Sequence, residues 1–194
     1  MTGFLTPPTQ VAYRHREART GVEVVFFPAA ESGALVEGHT AAVEAGAAWS
    51  VAYAIELDAA WVTRSARVHG RSAAGAGSVT LAADGAGGWE VDGHARPELD
   101  GCFDVDLESS ALTNAFPVRR LGLEIGEAVD APAAYVRALG LAVERLEQRY
   151  RRLPDANGHQ RYDYAAPAFA FACRLEYDAH GLTLDYPGIA ARLA

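Results

Sequence analysis

The sequence predicts a mainly β protein, built from antiparallel strands spaced as they are in sandwiches and barrels. Three observations lead there. Apolar and polar residues alternate with period two through most of the chain, as in strands with one buried face. The dipeptides Asp84-Gly85, Asn157-Gly158 and His180-Gly181 fall between those runs and tolerate the positive φ that short hairpin loops require. Helical spacing is scarce, so only one or two short helices are expected.

Taken in order, Val22 to Phe27 and Ala34 to Val43 read as strands. Trp49, Val51, Tyr53, Ile55 and Leu57 then alternate with Ser50, Ala52, Ala54 and Glu56, giving one greasy face and one of mostly small residues. Trp61 to His69 alternates again, and Asp58-Ala59-Ala60 joins the two runs as a hairpin. Gly70 to Gly77, rich in alanine and glycine, reads as a long hairpin loop before strands at Ser78 to Ala83 and Trp89 to Asp92. Asp100 to Leu121 breaks the pattern with an acidic run, a short helix expected at Ser109 to Phe116 and stopped by Pro117, and a double arginine. Irregularity of that kind is where a sequence departs from its scaffold rules.

Beyond it, Val118 to Ile125 and Ala133 to Leu139 read as strands. Leu141 to Leu153 has helical propensity in a β context, and context favours strand. Phe169, Phe171, Cys173, Leu175 and Tyr177 share one side of a strand whose partner presents Leu182, Leu184 and Tyr186. A last helical turn is expected after Pro187, through Ile189, Ala190 and Leu193. The sum is roughly ten to twelve strands in a single domain spanning 1–194.

Composition removes several classes of function. The 194-residue chain has a formal charge of −8, and all 17 basic residues are arginine. No basic stripe is available to displace phosphate counterions, so nucleic acid is not an expected partner. Neither a secretory leader nor a membrane-spanning stretch is legible, and a cytoplasmic protein, monomer or homodimer, is expected. Cys102 and Cys173 are then expected to be separate thiols, and the acidic neighbours of Cys102 oppose thiolate formation. Nucleophile-elbow, P-loop and zinc-helix motifs are absent from the sequence, and the six histidines are scattered singly. No metal and no cofactor are expected.

Two groups of residues remain as candidates. Asp100, Asp104 and Asp106 are hard oxygen donors, yet the spacing lacks the glycine of a calcium loop; pairing with Arg119 or Arg120 and capping the short helix is the plainer reading. The second group suits an amphiphile: Trp49, Tyr53, Trp61, Phe169 and Phe171 as an apolar floor, with Asn114, Tyr150, Tyr162, Tyr164, Arg64 and Arg120 as a polar rim. Each aromatic taken singly is more often core than ligand contact.

The segments Asp100-Gly101-Cys102, Asp104-Val105-Asp106-Leu107, Thr113-Asn114 and Pro117-Val118-Arg119-Arg120-Leu121 resemble the motifs of a bacterial family described as putative glycolipid-binding. Gly21-Val22-Glu23, Gln148-Arg149-Tyr150 and Asp185-Tyr186-Pro187-Gly188 extend the resemblance over nearly the whole chain. It departs at Ser110-Ala111-Leu112, where the family pattern has Thr-Pro ahead of Thr-Asn. The resemblance implies a single antiparallel sheet curled into a half-barrel or open barrel, similar to lipoprotein carriers and lipid-binding lipoproteins. It also implies a non-enzymatic protein that holds an apolar or amphiphilic ligand, such as a glycolipid, in the concave face. Two alternatives stand beside it: an enzyme with a polar pocket around Asp104, Asp106, Asn114 and Arg120, and a homodimer whose sheet faces bury each other.

Overall fold

The computed structural model describes residues 3–193. The chain opens with a meander of β1 (Gln10–His15), β2 (Thr20–Phe26), β3 (Ala34–Glu44), β4 (Ala47–Leu57), β5 (Thr63–Ser72), β6 (Gly75–Ala83), β7 (Trp89–Val91) and β8 (His94–Ala95). An interior segment follows, carrying β9 (Asp104–Leu107) and the helix α1 (Ala115–Leu121). The remainder supplies β10 (Ala128–Asp130), β11 (Ala133–Val136), β12 (Val143–Leu146), β13 (Arg149–Ala156), β14 (His159–Ala166), β15 (Phe171–Tyr177), β16 (Thr183–Tyr186) and β17 (Ala190–Arg192).

Fourteen strands form one antiparallel sheet in the order β10-β13-β14-β15-β16-β17-β1-β2-β3-β4-β5-β6-β7-β8. Pairing of β17 with β1 joins the two halves of the chain, while the end strands β10 and β8 do not pair with each other, so the barrel stays open. A small sheet, β12-β11-β9, lies apart, and its β9–β11 pair is parallel.

The interior segment fills the curl. From one arm of the sheet, Trp89 Nε1 donates to the Cys102 carbonyl at 2.9 Å and Thr40 Oγ1 to the Ser109 carbonyl at 2.7 Å. From the other arm, the Tyr150 and Tyr177 hydroxyls donate to the Asn114 side-chain and main-chain oxygens at 2.7 and 3.2 Å. Strands as far apart as β7 and β13 reach one short segment because the sheet wraps around it. Leu107, Leu112 and Phe116 are buried there, and burial of each such side chain stabilises the fold by about 1.5–3 kcal/mol.

One contact shows how closely that filling is fitted. Gly38 lies opposite Tyr53 on the neighbouring strand, and a Cβ on Gly38 would sit 2.0 Å from the Tyr53 ring. Glycine therefore lets the ring lie flat across β3. The Tyr53 hydroxyl donates to Glu23 Oε1 at 2.6 Å, and the Ala111 N–H donates to Glu23 Oε2 at 2.9 Å. Glu23, fully buried, thus pins the interior segment to β2. Burial raises its pKa, against the opposing pull of Ser110, Tyr53 and main-chain N–H donors.

Several expectations are corrected. The helix is Ala115–Leu121, not Ser109 to Phe116, and Pro117 lies in its first turn. An N–H there has no intrahelical acceptor, so proline costs nothing and does not stop the helix. Val118 to Ile125 is accordingly no strand; Gly122 caps the helix at φ 55°. Gly70 to Gly77 is not a long loop, because β5 and β6 run through it to a two-residue turn at Ala73-Ala74. Phe169 falls in a 3₁₀ turn (Pro167–Phe169) ahead of β15, and the expected final helical turn is β17. The strand total exceeds the expected ten to twelve because short strands such as β7, β8 and β10 carry only two or three residues and too little alternation to read. Leu141 to Leu153 does divide between two strands, β12 and β13.

Candidate functional site

A pocket of about 230 Å³ opens between the interior segment and the inner face of β14 to β16. Period two delivers Tyr164 and Ala166 of β14 to its wall, beside Phe171 of β15 and Tyr186 of β16. Tyr164 and Phe171 each lie 5.9 Å from Tyr186, centroid to centroid. Opposite them stand Asp106 and Leu107 of β9, Tyr135 of β11, Leu146 of β12, and Asn114 ahead of the helix.

Asp106 is the acid at the floor, 7% exposed. The Thr113 hydroxyl donates to its Oδ1 and the Gln148 amide to its Oδ2, both at 2.6 Å. Gln148 also donates to the Tyr164 hydroxyl at 3.1 Å. Burial pushes the Asp106 carboxyl up to about 6, and the negative charge of nearby Asp104 adds to the rise, while Thr113 and Gln148 oppose it. The Leu107 N–H also points at this carboxylate, so of its four lone-pair sites one is left for a ligand hydroxyl.

Two arginines frame the mouth. Arg19 donates to the Glu108 carbonyl at 2.8 Å and stacks 5.2 Å from the Trp49 ring. Arg137 pairs with Glu144 at 2.6 Å and lies 5.2 Å from both the Tyr135 and Phe169 rings. Carboxyl, phenol, amide and guanidinium groups therefore converge between aromatic faces. That set can hydrogen-bond a ring of hydroxyls while the aromatics cover its C–H face.

The residues anticipated from sequence are dispersed. Asn114, Asp106, Tyr164, Phe169 and Phe171 line this pocket. Trp49, Tyr53 and Tyr150 are buried, and Tyr53 and Tyr150 bond the interior segment, which occupies the concave face. Trp61, Arg119, Arg120 and Tyr162 line a second cleft with no residue in common with the first. Arg64 sits outside both: a bulge in the β4–β5 ladder points Thr63 and Ala66 inward and leaves Arg64 in solvent near Asp58. Asp100 is exposed, whereas Asp104 is buried in a two-pronged pair with Arg120, at 2.6 and 3.1 Å. Cys102 is buried and Cys173 half-buried, both free thiols; burial pushes them up to about 11 and about 12. Among the described residues no cluster of three His, Cys, Asp or Glu side chains could hold a metal, and no helix is long and apolar enough to cross a membrane.

Arg19, Tyr135, Arg137 and Gln148 were not legible as site residues. They lie in or beside short elements, and only the fold brings them to Asp106. Glu23 gave no signal either: Val22, Val24 and Phe26 make the opposite face of β2 the more apolar one, yet the structure exposes that face and buries Glu23 with Val25.

An open antiparallel barrel wound about its own interior segment, with a polar-floored and aromatic-walled pocket, defines the class of protein. Within that class the chain belongs to the family described as "Putative glycolipid-binding", whose family model matches residues 10–192. Among solved structures it is similar to a DUF1089 family protein from Pseudomonas aeruginosa, 32% identical over 97% of this chain and 94% of that one, with a TM-score of 0.74. It also resembles a β-barrel-like protein of the DUF1849 domain from Brucella abortus, at 10% identity and a TM-score of 0.51 over 94% and 93% of the two chains; that likeness concerns the fold alone. No curated protein matches.

Proposed function

We propose that this is a non-enzymatic binding protein for an amphiphile such as a glycolipid, and that the polyhydroxyl head enters the pocket above Asp106. The convergence of Asp106, Asn114, Tyr164, Arg19 and Arg137 between Tyr135, Phe169 and Phe171 is the observation that carries this reading. Volume points the same way. At about 230 Å³ the pocket is smaller than the ~300–1,000 Å³ that whole drug-sized ligands occupy, so it suits one ring, with the alkyl tail left outside. Phe169, 42% exposed beside the pocket, offers that tail an apolar surface. The interior segment covers most of the concave face, and in this proposal the ligand takes the part left open beside β14 to β16.

The test is calorimetric titration with n-octyl-β-D-glucoside below its micellar concentration, against a polyoxyethylene ether with the same octyl chain. The glucoside should bind at least about tenfold more tightly, a margin that one or two good hydrogen bonds supply. Phe171→Asp should abolish binding, and Tyr164→Phe should narrow the preference for the sugar. Equal affinity for both compounds, or unchanged binding by Phe171→Asp, would remove the pocket from the function.

A further inference from the structure

A second cleft, of about 600 Å³, lies between α1, the turn before β5, and the far ends of β13 and β14. Arg119, Arg120 and Arg152 line it, with Trp61 and Tyr162 as aromatic walls. Two of these cations already have carboxylates: Arg120 pairs with Asp104 and Arg152 with Asp155. Arg119 differs. Its Nη1 donates only to main-chain carbonyls, those of Leu5 and His180, and its Nε is buried without an acceptor. No carboxylate among the described residues forms an ion pair with it.

The fold nevertheless holds this guanidinium firmly. It lies 3.8 Å from the centre of the Trp61 ring, close enough for a cation–π contact. Trp61 itself sits at φ 66°, a conformation that bulky residues avoid, kept by a turn in which the Asp58 carboxylate accepts the Ala60 and Val62 N–H groups. On the other side Gly181, at φ +67°, lets the loop close on the arginine stem; a Cβ there would lie 2.9 Å from Arg119 Cγ. Burial lowers the Arg119 pKa to about 10, which leaves it charged at neutral pH. Half-buried charges are normally paired; this one lies between the Trp61 and Phe4 rings and feels Asp178 only at a distance, with no carboxylate of the described residues in direct contact.

We propose that this cleft is a second ligand site, which takes a phosphate group, on a small metabolite or a lipid headgroup, at the edge of the Arg119 guanidinium that the Trp61 ring holds from behind. Arginine suits the role because it keeps its charge, and Nη2, which makes no hydrogen bond within the described residues, is left to donate to a phosphate oxygen. Glu124 and Asp155 also stand on the rim and oppose any anion, so chloride at equal ionic strength separates a specific contact at Arg119 from simple screening.

Inorganic phosphate is the probe. In ¹⁵N-labelled protein the Trp61 indole and Arg119 Nε–H signals should move saturably with phosphate and stay still with chloride at equal ionic strength, while the Trp49 and Trp89 indoles do not respond. Arg119→Gln should weaken the response about tenfold or more, the loss expected for a charge-assisted hydrogen bond. Stationary Trp61 and Arg119 signals, an equal response to chloride, or undiminished binding by Arg119→Gln would overturn the proposal. Should that variant fail to fold, the Arg119 Nε–H signal of the unmodified protein decides by itself. Co-sedimentation with phosphatidylglycerol vesicles but not phosphatidylcholine vesicles, reversed by phosphate, would place the group on a lipid. Phosphate binding without vesicle binding would place it on a soluble metabolite.

Discussion

Asp106→Asn should change the pH dependence of stability in a calculable way. The carboxyl titrates at about 6 in the folded protein against 3.8 for an unperturbed aspartate. A raised folded-state value means that the native state binds the proton more tightly than the unfolded chain does. Stability from this group is therefore fully present below pH ~4 and lost as pH rises through ~6. Between the two values, at ~1.36 kcal/mol per tenfold change in proton affinity, lies a total of about 3 kcal/mol. Asparagine cannot titrate, and the pocket accommodates it: Thr113 still donates to the retained oxygen, and a flipped Gln148 amide turns its oxygen to the new NH₂. Urea unfolding of both proteins, followed by tryptophan fluorescence at constant ionic strength from pH 4 to 7.5, isolates the effect. Subtracting one profile from the other removes contributions that do not couple to Asp106. Over that range the difference should swing by about 2.5 kcal/mol in favour of the variant as pH rises. A flat difference would refute the assignment of the raised carboxyl to Asp106.

Further outcomes follow from the core and the ion pairs. Gly38→Ala should cost about 3 kcal/mol, the upper end for overpacked cores, because the added methyl displaces Tyr53 from Glu23; an unchanged melting temperature would show that the ring has room. Arg120→Met should cost about 3–5 kcal/mol at pH 7 by stranding buried Asp104, and less as pH falls and the stranded carboxyl takes a proton; adding Asp104→Asn should restore part of the loss in urea denaturation. Both thiols should react with Ellman's reagent at pH 8 about a hundredfold or more slowly than in the urea-unfolded chain, given folded values of about 11 and about 12. A Cys102 that reacts at the unfolded rate would contradict its burial.

Strand β4 was legible because its information is local. Successive side chains of an extended backbone point to opposite faces, so Trp49 to Leu57 announces both the strand and the buried face, and the structure buries each of those alternate residues. The Asn157-Gly158 turn was legible for the same reason: both residues take positive φ, 54° and 79°, between β13 and β14. Alternation misled where a bulge intervened. Arg64 shares its parity with Ala66 but not its face, because the extra residue in β5 shifts the register against β4. Proline misled at position 117, since its effect depends on which turn of the helix it occupies, and the helix begins only after Asn114, whose side chain bonds Tyr150 rather than capping the first turn.

The sequence by itself determined the β class, most of the long strands and the irregular character of Asp100 to Leu121. Those properties rest on side-chain parity and turn chemistry, which act over two to four residues. What covers the concave face was decided only by the tertiary structure. Glu23 and the Ala111 N–H that it holds are separated by 88 positions, and no local pattern records their meeting. Pocket residues are distributed in the same way, with Arg19, Asp106, Arg137 and Phe171 drawn from distant parts of the chain. A curled sheet brings such groups together through long-range pairing, here of β17 with β1, and the burial that follows gives Asp106 a titration absent from an isolated strand.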